Sequence, residues 1–259
     1  MMAERTEHMS FRGKGRLLNA LCPRVGIAER RVFGHRVRLD LSDHIQRWIF
    51  LGIYEHAPTR IVSEYLRPEM TVVDVGANVG YYTLLALSRI GPRGRVIAVE
   101  PAERPRQRLL AAVDGMTNVT VIPCAVGAER GSGVLYLNRD ADNDTPTMVS
   151  GHGGIAAAVE IETLDACLAA LGVQNVDLLK LDVEGWEPRV LTGAQSLLAR
   201  RRIRAILCEL NDYWLRAVGT SAEAVHRQIL ALGFEDVAPH ALSNLDTRLF
   251  VLTEIPSAA

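Results

Sequence analysis

The sequence predicts an α/β protein built on a doubly wound, mainly parallel, Rossmann-like sheet, and three observations carry that expectation. Apolar strand-like runs alternate with segments at helical spacing along most of the 259 residues. The stretch Thr71 to Gly80, TVVDVGANVG, leads from strand formers through a small-residue turn into an apolar helical face (Val79, Leu84, Leu85, Leu87) that stops at Gly91-Pro92. Acidic residues, Asp74, Glu100, Asp182 and Glu209, fall at the ends of buried strands, where such a sheet places its ligands.

In order, residues 1–66 are expected to form an N-terminal extension packed on a core domain of residues 67–259. The first 30 or so residues are polar and arginine-rich. RVFGHRVRLDL, Arg31 to Leu41, alternates like a strand or hairpin. Ser42 or Asp43 can cap a helix through Phe50, and Ala57 to Tyr65 makes a second one. After the Thr71 strand and its helix come a buried strand, Arg95 to Val99, and a helix, Glu103 to Val113, with Pro105 tolerated in the first turn. Asn118 to Ile122 is the third strand. Gly131 to Asn138 and Ala156 to Ile161 are expected to pair as a hairpin insertion where a simpler fold has a helix. A polar, glycine-rich loop joins them. Asn175 to Val183 is the fourth strand, Pro188 to Arg200 one helix, and Ile203 to Cys208 the fifth strand, closed by Glu209. Thr220 and Glu223 have capping-box spacing for a helix ending at Gly233. Phe234 to Val237 and Arg248 to Thr253 complete the sheet.

The turn at Gly76 and Gly80 lets backbone approach a ligand, and new helix amides point into the same crevice. Asn78 stands where a dinucleotide fingerprint has its middle glycine, and Asp74 would repel a pyrophosphate. A carboxylate there suits the cationic cofactor S-adenosylmethionine (SAM) instead. Glu100, before Pro101, is in the place for an acid that takes ribose hydroxyls.

VVDVGANVGYYTLLAL, VIAVEP and LLKLDVEGWEPRVLTGA together resemble the FkbM-type family of SAM-dependent methyltransferases, from about Asp40 to Glu209. The resemblance implies a class I methyltransferase fold and natural-product chemistry; the first residues carry no apolar core like that of a secretory signal, so a cytoplasmic protein is expected. The resemblance also implies a cofactor site containing Glu55, Asp74, Gly76, Asn78, Gly80, Glu100, Pro101, Ala125 and Asp182. Adenine would be seated where the third strand exits, at Pro123 to Gly127. The Tyr54-Glu55 pair is implied to help close the pocket.

In DLLKLDVEGW, Lys180, Asp182 and Glu184 alternate with Leu179, Leu181 and Val183, which puts three charges on one strand face. Such a row is costly in a buried parallel sheet unless its members pair or meet a ligand. Of the 29 basic residues only Lys14 and Lys180 are lysine, and lysine, unlike arginine, can give up its proton. The row is therefore the expected catalytic group, with Asp182 or Glu184 as base and Lys180 setting the charge state. His152 in the long loop is a further candidate base. Asp182, Glu184 and Glu209, with Asn211 nearby, also offer hard oxygen ligands for a magnesium ion. Trp186 and Trp214 can wall the acceptor site.

The expected reaction is O-methylation of a small hydroxylated molecule, and the resemblance alone implies the acceptor class: a sugar, glycoside or polyketide-like compound. Nitrogen or carboxylate acceptors, a non-catalytic SAM-binding protein and an NAD(P)-dependent oxidoreductase are the alternatives. The last lacks a Tyr-x-x-x-Lys pair. A net charge of -1 and a pI near 6.7 argue against a nucleic-acid partner. No apolar run reaches the ~18 residues of a membrane span. Cys22, Cys124, Cys167 and Cys208 form no C-x-x-C pair and read as reduced thiols.

Overall fold

Seven strands make the central sheet of the computed structural model, which describes residues 22–137, 146–150, 155–237, 242–243 and 245–253. Labelled in chain order, β3 (Thr71–Val75), β4 (Arg95–Val99) and β5 (Val119–Ile122) step outward on one side. The chain then crosses back to β9 (Leu178–Leu181) and β10 (Ala205–Asn211) on the other side. The spatial order is β11-β12-β10-β9-β3-β4-β5. All pairings from β10 to β5 are parallel, and β12 (Leu245–Leu252) runs antiparallel to both β10 and β11 (Phe234–Asp236). The order reverses between β3 and β9, so the crevice for a ligand opens at their carboxyl ends.

Period-two alternation splits the core. Val73, Val75, Leu179 and Leu181 pack on one face with Leu164, Val190, Leu191 and Ile229. Val72, Val96, Ala98 and Leu178 face the other way, against Leu84, Leu85, Ile90 and Leu109. Helices α3 (Tyr81–Ile90) and α4 (Glu103–Ala112) cover this second face.

The extension follows its sequence pattern. β1 (Ile27–Val32) and β2 (His35–Asp40) form an antiparallel hairpin, followed by α1 (His44–Leu51) and α2 (His56–Tyr65). Asp43, not Ser42, caps α1, its side chain accepting from the Gln46 amide at 2.8 Å. Arg108 of α4 reaches back to Asp40 at 2.7 Å and ties the hairpin to the core.

Several expectations are corrected. β7 (Gly131–Leu137) and β8 (Ile155–Glu162) do pair as a hairpin, which joins the two-residue β6 (Ala125–Val126) in a separate small sheet. The hairpin precedes the helix it was expected to replace: α5 (Leu164–Ala170) follows, capped by Thr163. The expected helix from Pro188 to Arg200 breaks at Ala194 into α6 (Glu187–Gly193) and α7 (Gln195–Ala199). A β-carbon on Gly193 would lie 2.0 Å from the Gly127 carbonyl oxygen, so a close backbone crossing sits at the end of α6. Short α8 (Asp212–Ala217) went unforeseen. The cap of α9 (Ala222–Ala231) is Ser221, which accepts from the Ala224 amide at 3.1 Å; Thr220 lies one residue too early. Among the described residues no helix is long and apolar enough to cross a membrane.

Candidate active site

The turn after β3 is folded by its own neighbours. The amides of Gly76 and Ala77 both donate to the Val99 carbonyl at 3.0 Å, and Gly76 has φ +79°. A β-carbon on Gly76 would stand 1.8 Å from the Asp182 carbonyl oxygen, and one on Gly80, φ +92°, would stand 2.6 Å from Leu109 Cδ1. Both glycines thus also admit other parts of the chain. Gly76 and Asn78 do line the cavity above the turn; Gly80 does not.

Glu100 lies just past β4, buried at 4% exposure, and lines the same cavity. Its Oε2 accepts from the Asn78 amide and its Oε1 from the Ala102 amide, each at 2.8 Å. Burial lifts its pKa to about 7, against the pull of those two amides. Each oxygen keeps a lone pair for a bound hydroxyl.

Lys180 and Asp74 are register partners across β9 and β3. The Lys180 ammonium donates to the Gly76 carbonyl at 3.0 Å, meets Asp182 at 3.0 Å and Asp74 at 3.5 Å, and lies 5.2 Å from the Tyr82 ring centre. Burial alone would favour the neutral amine, but Asp182, Asp74 and Glu55 outweigh it and hold the pKa above the usual lysine range. Lys180 is thereby held toward its charged form beside Asp182 and Asp74. Asp74 is 1% exposed, accepts from the Thr83 hydroxyl at 2.7 Å, and does not line the cavity. The carboxylate expected to attract the cofactor's charge instead faces Lys180.

The acidic row does not lie on one strand. β9 ends at Leu181, and Glu184 has φ +51° in a turn. Glu187 causes that turn: 1% exposed at the start of α6, it accepts from the Val183 amide at 3.0 Å and the Gly185 amide at 3.4 Å. The Thr147 hydroxyl donates to the Glu184 carbonyl at 3.0 Å and holds it further. The turn still aims the Glu184 carboxylate at Asp182 and at Glu209 of β10, with one oxygen of each within 4.8 Å of the others. Oε2 of Glu184 and Oε2 of Glu209 are shut off from solvent with no hydrogen-bond partner among the described residues. Burial first, then the charges of Asp182 and of each other's neighbours, raise both pKa values well above the carboxylate range. Sequence reasoning missed Glu187; an acid at the first helical position after a glycine turn is the signal that could have found it.

Glu55 closes the opposite wall. It precedes α2 with φ +40°, and its Oε2 accepts from the Tyr82 hydroxyl. Burial and then Asp182 raise its pKa. Pro101, Ala125, Trp186, Asn211 and Trp214 also line the cavity, which measures about 720 Å3 and continues into an apolar lobe at Ile45, Trp48 and Ile61. That volume lies within the usual range of small-molecule sites, roughly 300 to 1,000 Å3. His152 lies outside the described residues.

Residues 74–235 match the family model described as the methyltransferase FkbM domain. The chain is 33% identical over 182 residues to the 31-O-demethyl-FK506 methyltransferase FkbM of Streptomyces tacrolimicus, covering 57% of this chain and 67% of that protein. It is 27% identical to the AMB antimetabolite synthetase AmbE of Pseudomonas aeruginosa over 78% of this chain but 11% of that protein. It is also 27% identical to the methyltransferase sdnD of Sordaria araneosa, over 48% of this chain and 60% of that one. The chain thus spans about a tenth of AmbE and three fifths of sdnD. Among solved structures, SAM-bound fibrillarin of Aeropyrum pernix overlaps at TM-score 0.43 and 17% identity, over 90% of this chain and 85% of that one. By its family match, this chain belongs to the FkbM family of SAM-dependent methyltransferases.

Proposed function

We propose that the protein moves the methyl group of SAM to a hydroxyl of a small natural-product-like acceptor, a sugar, glycoside or polyketide. The observation that carries this reading is the pair of unpartnered carboxylate oxygens, on Glu184 and Glu209, in the cavity that Glu100 also lines. Glu100 takes the ribose hydroxyls of the cofactor, Pro101 and Ala125 flank its adenine, and Glu55 and Asp182 attract its ammonium. The acceptor enters over the apolar lobe of α1 and α2 and brings its hydroxyl to Glu184. Of the two acids of the row offered as base, Asp182 is committed to Lys180 at 3.0 Å, whereas Glu184 keeps a free oxygen. As the acceptor oxygen attacks in line, its proton passes to Glu184, the new oxygen–carbon bond forms and the carbon–sulfur bond breaks. The bonding pair stays on sulfur, giving S-adenosylhomocysteine.

The relative named as a 31-O-demethyl-FK506 methyltransferase supports a hydroxyl acceptor. The test offers that compound and simple glycosides to the purified protein and follows S-adenosylhomocysteine release, with SAM affinity read separately by calorimetry. Glu184→Gln is expected to lower turnover by ~100-fold while SAM affinity stays within about threefold. Equal losses in both would make Glu184 a cofactor ligand or a structural acid and overturn its assignment.

A further inference from the structure

We propose that Asp182, Glu184 and Glu209 bind one hard divalent cation, whose open positions take two neighbouring oxygens of the acceptor. The ligand set comes from three separate places: the residue past β9, the turn before α6, and β10. Its oxygens lie within 4.8 Å of one another. Oxygens this close together can share one hard divalent cation.

Acids in proximity do not by themselves make a site. Here two of the three present oxygens that are buried and unpartnered among the described residues, and buried carboxylates are costly without a counter-charge. Lys180 does not supply it. Among the described residues lining the cavity it is the one lysine or arginine, and it is taken up by Asp182, Asp74 and the Gly76 carbonyl. The Glu184 backbone is pinned by Thr147 and by the Glu187 turn, so its carboxylate is aimed rather than free to swing into solvent. Asn211 lines the same edge and adds a neutral oxygen. Glu184 gives the cation one oxygen and keeps its other for the acceptor's proton, while Asp182 gives the oxygen that Lys180 does not hold. A cation here would select acceptors with adjacent oxygens, such as a vicinal diol or a hydroxyketone. That selection rests on the methyltransferase reading; the cation site itself does not.

Manganese titration of the metal-stripped full chain, followed by the loss of the free-ion electron paramagnetic resonance signal, tests the site. One ion per chain is expected, bound more tightly than about 1 mM, the weak end of oxygen-ligand sites, and displaced by calcium. Glu184→Gln and Glu209→Gln should each weaken it at least ~10-fold, as loss of a ligand does. Affinity unchanged in both variants would overturn the proposal, as would no binding below millimolar concentration. Terbium provides a readout on the unmodified chain: excitation through Trp186 and Trp214, which line the same cavity, should sensitise its emission, and silence would count against the site. Calorimetry with SAM in the absence of metal separates the two readings. SAM binding without manganese binding removes the cation and leaves the methyltransferase; manganese binding without SAM binding does the reverse.

Discussion

Glu100 and Glu209 both stand near the carboxyl ends of strands in one sheet, line one cavity and are largely buried, yet their surroundings are opposite. Glu100 has a backbone amide on each oxygen. Glu209 Oε2 has no partner among the described residues, and its closest charged neighbours are acids. Asp74 stands between the two: its Oδ2 accepts from the Thr83 hydroxyl, and its Oδ1 has the Lys180 ammonium at 3.5 Å but no hydrogen-bond partner among the described residues. An acid the fold has satisfied serves as scaffold or as a positioned contact. An acid the fold buries and leaves unsatisfied lowers stability, and such a cost at a cavity wall is characteristic of function.

Substitutions can break or sharpen this contrast. Lys180→Met leaves Asp74 and Asp182 buried without their cation, which should cost about 3 to 5 kcal/mol. Thermal unfolding would register this as a fall of roughly 10 °C for a chain of this size. A melting point within a degree or two of the parent would show that the two acids do not depend on the lysine.

Next in size is a pH effect at Glu100. Its folded pKa, about 7, lies above the ordinary 4.5, so the folded state holds the proton more tightly. The sign follows: stability falls as pH rises from 4.5 to 7 and is level beyond. Over that window the loss for this one group is about 3 kcal/mol. Glu55, Glu184, Glu187 and Glu209 are shifted in the same direction and steepen the fall. Denaturant unfolding at several pH values should therefore show a flatter profile for Glu100→Gln than for the parent. Parallel profiles would mean that Glu100 is already ionised at low pH.

The smallest effect is the one of opposite sign. Glu209→Gln removes a buried charge from among other acids and should raise stability by about 1 kcal/mol, as relief of functional strain does elsewhere. Asp74→Asn, which takes a counter-charge from the buried Lys180, should lower it. If both lower it equally in parallel chemical denaturation, the distinction between the two sets of acids is lost.

Much of the fold was legible because it is written in local period and punctuation. Arg95–Val99 is a strand where its apolar run begins and ends, and Glu103, Asp43 and Gly233 mark helix boundaries near their expected places. The errors sit where a distant partner intervenes. Gly193 against the Gly127 carbonyl coincides with the break that splits one expected helix, and Glu187 folds back on the Val183 amide to take Glu184 out of the strand. Glu100 and Asp182, singled out by their position at strand ends, line the cavity. The burial of Asp74 away from the cavity was not legible, because alternation alone does not say which face of a two-sided sheet carries the ligand.

The sequence by itself determined the alternation of strands and helices, the turn after β3, and the family, since each depends on residue order over a few turns of chain. Only the tertiary structure decided that β10 lies beside β9, which brings Glu209 to Asp182 and Glu184. It also decided that Lys180 keeps its proton and that Gly76 makes room for the Asp182 carbonyl. The physical reason is common to all three. Ionisation and close contact depend on every group within a few ångströms, and in a doubly wound sheet those groups come from strands well separated in sequence, 104 residues in the case of Lys180 and Gly76.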